Sequence, residues 1–179
     1  MSILNIIAVT IGAVGLGFGL YEYHIAQKWK RTEFAGKLLD GLSDDPILAR
    51  CCIFLDYSRR RMAVPCEYRI FTKEKYFVHN WKALEQGLLP EDVKNTFEWQ
   101  EVMYRDSFDY FFTYLERINH FISIELIDIA HVLNIEYWLE QIAQPRFTKS
   151  PVFMEFIRTY DYSDVLELME RFEIKFENE

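Results

Sequence analysis

Three pairs of polar side chains punctuate a long aromatic-rich stretch of this sequence, and they are its best candidates for chemistry. Glu101 and Arg105 are four residues apart, Asp106 and Asp109 three apart, and Glu116 and His120 four apart. On a helix such spacings put both members of a pair on one face. Carboxylates and imidazoles projecting from facing helices of a bundle are the ligands of di-iron carboxylate sites. Those sites need Glu-x-x-His on two helices, whereas Glu116 is followed three residues later by Asn119 and no second copy exists. His79 and His131 stand in no ligand spacing either. The expectation is therefore no metal and no cofactor, with Glu116 and His120 as weak metal candidates only. Asp56, Arg105, Asp106 and Asp109 are read instead as a structural polar cluster, the long helix bridging to a second helix through Asp56 or Arg59.

Other chemistries find less. No G-x-S-x-G elbow, no G-x-x-x-x-G-K-[ST] and no G-x-G-x-x-G occurs, and the body holds only Gly36, Gly41 and Gly87. Cys51, Cys52 and Cys66 have no CxxC spacing and read as reduced thiols. The net charge of −8 is uneven. Residues 1–21 carry no charged side chain, the segment from Glu22 to Arg61 has eight Lys/Arg against six Asp/Glu, and Met62 to Glu179 has a balance of −10. An acidic body argues against nucleic acid, whose phosphates need a concentrated basic face.

The element that must carry the polar pairs is a helix from about Phe97 to Ile122, where Phe108, Phe111, Phe112, Leu115, Ile118 and Phe121 recur at helical spacing. Ahead of it, Asp45-Pro46 starts a helix expected to reach about Ala63. Thr72 is expected to cap another that ends before Gly87, and Pro90 to open one more. Shorter helices follow over 126–133, 135–143, 151–159 and 165–172. The fold class expected is all-α, a compact multi-helix bundle over 44–179 preceded by a basic helix over 23–43.

The first 22 residues read as a transmembrane anchor. Ile3 to Tyr21 is apolar, Gly or weakly polar, and 19 residues rising about 1.5 Å each span ~28 Å. Lys28, Trp29, Lys30 and Arg31 follow as expected lipid contacts, and the positive-inside bias puts the body in the cytoplasm. Gly12, Gly15 and Gly19 fall among small residues four apart, a spacing that lets two helices approach closely, although glycine is also simply common in membrane helices.

The run Lys28-Trp29-Lys30-Arg31-Thr32-Glu33-Phe34 after the apolar segment resembles the start of an uncharacterised bacterial, largely cyanobacterial, family. Leu55-Asp56-Tyr57, Arg105-Asp106-Ser107-Phe108-Asp109, Tyr137-Trp138-Leu139 and Phe156-Ile157-Arg158-Thr159-Tyr160-Asp161-Tyr162 continue the likeness in order. The resemblance implies a single-pass protein with an all-helical domain, and it brings no activity or site residue.

Three functions fit these readings. The first is a non-catalytic membrane-anchored interaction module: a scaffold, assembly factor or accessory subunit that contacts lipid and a protein partner or further copies of itself. The second is a membrane-tethered sensor or effector in a stress or phage response. The third, a metal-dependent enzyme, has only Glu116 and His120 in its favour.

Overall fold

A single helix, α1 (Ile3–Asp44), opens the chain and runs without a break for 42 residues. The computed structural model describes residues 3–176, and of residues 4–10 the backbone only. From Ala35 onward α1 is gripped by the body, with Ala35, Leu38 and Leu42 buried. Just above, Phe34 packs on Phe121 and Thr32 lies 3.4 Å from His131; beyond the turn at Ile129–His131 the helix projects, and every side chain from Ile11 to Tyr23 is exposed.

The turn out of α1 is fixed by Asp45. Its Oδ1 accepts from the backbone N–H groups of Ile47 (2.8 Å) and Leu48 (3.2 Å), and Pro46 fills the first helical position of α2 (Pro46–Asp56). This start agrees with the sequence pattern, but the expected length does not. Tyr57 turns extended, at φ −124° and ψ 131°, and Arg59–Ala63 forms strand β1. Its partner is β2 (Tyr76–Asn80), antiparallel, with Arg61 opposite Val78 and Arg60 opposite His79. The helix expected from Thr72 is thus a strand followed by a short helix, α3 (Trp81–Gly87), capped by Asn80 on the N–H of Ala83. The all-α class is corrected by this hairpin. The cause is the alternation Tyr76-Phe77-Val78-His79, exposed and buried by turns, which satisfies a period of two.

Helix α4 (Trp99–Ser123) is the axis of the body. It starts in a reciprocal capping box: Glu98 caps the N–H of Glu101, and Glu101 Oε2 accepts from the N–H of Glu98 at 2.8 Å. Helices α2, α3 and α7 (Ser163–Arg171) pack against it, while α5 (Glu136–Ala143) and α6 (Val152–Thr159) close the remaining side. Where a helix was expected over 126–133 the chain makes only 3₁₀ turns at Ile129–His131 and Leu133–Ile135, and no helix opens at Pro90. Phe54, Phe108, Phe111, Phe112, Phe153 and Phe156 are fully buried together, mostly at tilted and edge-to-face angles.

The transmembrane anchor expected over residues 1–22 is corrected too. Among the described residues no helix is long and apolar enough to cross a membrane. The side chains of residues 4–10, on which the rest of that reading falls, lie outside the described residues. The single-pass placement and the cytoplasmic side assigned through it lose their basis together.

Candidate functional site

The polar side chains of α4 come to rest in partnerships that the sequence spacing did not specify. Arg105 is nine-tenths buried, and its guanidinium reaches across to the end of α3. One Nη donates to the carbonyls of Gly87 (3.3 Å) and Leu89 (2.9 Å), the other to the hydroxyl of Tyr160. The rings of Tyr160, Phe97 and Phe156 lie 4.8, 5.1 and 5.2 Å from it, and the exposed Glu91 stands 3.5 Å away. A cation on the last carbonyls of α3 is well placed against the dipole of that helix. Glu101, four residues earlier, pairs instead with Lys94 at 2.7 Å.

The aspartates meet tyrosines. Tyr68 donates to Asp106 (2.7 Å), Tyr162 to Asp109 (2.8 Å), Tyr137 to Asp56 (2.6 Å) and Tyr110 to Asp45 (3.0 Å). Asp56 therefore does not bridge to α4, and Arg59 stands on β1. Burial raises the carboxyl of Asp109 above its ordinary range, partly offset by the bond from Tyr162 and the charge of Arg105. The same burial, with the carboxylate beside it, pushes the Tyr162 hydroxyl well up. Such pairs tie α4 to the 3₁₀ turn at Cys66–Tyr68, to α7 and to the start of α2, each with one charge-assisted hydrogen bond.

Glu116 and His120 do not converge. Burial and then Asp164 and Asp161 raise Glu116, while His120 is exposed beside Phe121. No group of three or more His, Cys, Asp or Glu side chains among the described residues could hold a metal ion. Two of the three thiols are quiet as well. Cys51 is fully buried, donates to the carbonyl of Ser107 at 3.1 Å and is pushed far up by burial, and Cys52 is pushed up to about 12.

One buried pair had no sequence signal beyond strand alternation. His79, on β2, is completely buried, stacks on Phe54 and holds Nδ1 2.8 Å from the Tyr104 hydroxyl. Its Nε2 makes no hydrogen bond, and burial lowers the ring to about 4. The pair joins the hairpin to α4 and has no opening to solvent.

What the body leaves uncovered is on its outside. On α1, Ile11, Val14, Phe18 and Tyr21 are each 63–67% exposed at alternating spacings of three and four, and Leu16, Leu20 and Tyr23 are exposed on the opposite side. A Cβ placed on Gly12, Gly15 or Gly19 would meet nothing within 4 Å, so nothing in this chain uses their small size. Lys28 and Arg31 line a shallow polar groove with Tyr23, His24, Asp128 and His131, while Trp29 and Lys30 stand clear of it in solvent. On the hairpin, Arg59, Arg60 and Arg61 are all exposed.

Compared with family models, with curated proteins and with solved structures, the chain matches none. Function is therefore argued from these side chains and surfaces alone.

Proposed function

We propose that the protein is a non-catalytic interaction module that joins a multi-helix protein assembly through the projecting half of α1. The observation that carries this reading is the exposure of large apolar side chains on all sides of α1 above Trp29, itself 72% exposed. A helix that is apolar all round is stable in water only when covered all round. A single partner helix would cover the seam of Ile11, Val14, Phe18 and Tyr21 and leave Leu16 and Leu20 wet. The assembly therefore supplies at least two neighbouring helices, from further copies of the chain or from one partner protein. The bare glycines let such neighbours approach closely.

The non-catalytic half of the proposal is supported by what the polar groups do. Arg105, Asp106, Asp109 and Asp56 spend their hydrogen bonds on tyrosines and carbonyls of the same chain, and the remaining grooves are open and shallow. A photo-crosslinking residue at Phe18 tests the reading in the native cell. Discrete protein adducts, lost when the crosslinker is moved to the buried position Leu115, support it. Adducts to lipid only would overturn it.

A further inference from the structure

The hairpin is a basic island on an acidic protein. From Tyr57 to Asn80 there are six Lys/Arg against two Asp/Glu, a balance of +4, which leaves −12 for the rest of the chain. Three of these cations are consecutive on β1, and all three are exposed. Among the described residues none of Arg59, Arg60 and Arg61 is ion-paired with a carboxylate. Two of them are held in place: the guanidinium of Arg60 lies 4.5 Å over the ring of Tyr57, and that of Arg61 lies 4.4 Å over the ring of Tyr76. A ring under the face of a guanidinium leaves its N–H edge free for a carboxylate fork.

The backbone of the same strand is open. The N–H of Val64 donates to the carbonyl of Lys75, which makes this pair a hydrogen-bonded one in the antiparallel ladder. By alternation along the register, residues 62 and 60 also bond to β2, at Phe77 and His79. The N–H and C=O groups of Arg59, Arg61 and Ala63 consequently point to the other side of β1. Among the described residues no side chain or backbone group bonds to them there. Among the described residues the sheet has two strands, so this side is a free edge.

We infer that β1 is a docking edge for an extended acidic segment of a partner protein, which adds to the hairpin as a third strand. The backbone of that segment exchanges hydrogen bonds with Arg59, Arg61 and Ala63. Acidic side chains at alternate positions meet Arg59 and Arg61 on one face of the sheet. A nucleic acid fits this edge less well. Phosphates only accept, so the outward carbonyls of residues 59, 61 and 63 would lose water and gain no donor. The edge is built from β1 and uses no side chain of α1, so this inference stands apart from the assembly proposed above.

The test uses the full chain and a fluorescent octapeptide alternating Asp or Glu with Val, followed by anisotropy. Saturable binding that weakens with salt is expected, with a loss of about tenfold or more in the double variant Arg59→Glu and Arg61→Glu. Thermal unfolding of that variant should match the parent, since both side chains are exposed. The decisive comparison is the same octapeptide N-methylated at alternate residues, in both registers. One register should bind about as well as the parent and the other should lose binding, because only one set of amides faces β1. Equal affinity of both methylated forms would overturn the inference, as would tighter binding of single-stranded DNA or of anionic vesicles. A chain that stays monomeric yet binds the octapeptide would sink the assembly through α1 and leave this edge intact.

Discussion

Arg105 shows how a residue's helix neighbours can be legible in sequence while its hydrogen-bond partners are not. Its spacing from Glu101 and Asp109 is visible in sequence, because i, i+4 neighbours share a helix face. Its real partners, the carbonyls of Gly87 and Leu89 and the hydroxyl of Tyr160, are 16 to 55 residues away and depend on how α3 and α6 pack. Replacing Arg105 with Met would strand two carbonyls at the end of α3. A loss of about 3 kcal/mol is expected in urea unfolding, from the buried acceptors left without a donor. The four tyrosine-to-aspartate bonds are illegible for a related reason: their partners lie 38 to 81 residues apart and meet only through packing.

His79 makes a prediction about pH. Its ring titrates near 4 in the folded protein against an ordinary 6.5, because burial disfavours the charged form and the nearby carbonyls of Tyr57 and Phe54 offset only part of that. The unfolded chain therefore binds the extra proton first. Stability from this group is complete above pH 6.5, falls as pH drops from 6.5 to about 4, and is level below that. The total is on the order of 3 kcal/mol. Unfolding free energies of the parent and of His79→Gln, measured at pH 7 and pH 5, should show the steeper fall in the parent. Parallel changes in the two proteins would refute the assignment.

Among the elements, the long helices were legible and the hairpin was not. Strong periodicity in the α4 region survives any packing, and Asp45-Pro46 names the start of α2 by its own chemistry. Three consecutive arginines carry no apolar period of either kind, so β1 is defined only by its pairing with β2. The alternation of β2 is present in Tyr76-Phe77-Val78-His79, but Phe77, Trp81 and Leu84 also fit a helical spacing, and that longer pattern masks the strand. Gly87 marks a contact of equal consequence. A Cβ there would sit 2.6 Å from the carbonyl oxygen of Glu101 and 3.1 Å from its Cα, so α3 and α4 touch backbone to backbone. Gly87→Ala must push the two helices apart. A loss of about 1–3 kcal/mol is expected, read as a lower denaturation midpoint with an unchanged denaturant slope. A neutral Gly87→Ala would mean that the crossing is looser than described.

At the scale of the molecule, the chain is a tightly packed aromatic body with two features that its own side chains do not complete: the apolar upper half of α1 and the basic edge of β1. Sequence reading placed the first in a lipid bilayer because total apolarity cannot distinguish a lipid neighbour from a protein one. Among the described residues no helix is long and apolar enough to cross a membrane, yet the exposed part of α1 is too apolar to be left in water. Cover by protein helices satisfies both constraints, and the body then serves as the mount that fixes where α1 points. Native mass spectrometry of the full-length chain, purified from its own cells in mild detergent, tests this most directly. We expect a discrete assembly of three or more copies, or a stoichiometric complex with one partner protein, that falls apart in the double variant Leu16→Glu and Phe18→Glu while the circular dichroism of the body is unchanged. A monomer in both the parent and the variant, carrying nothing but lipid and detergent, would contradict the account.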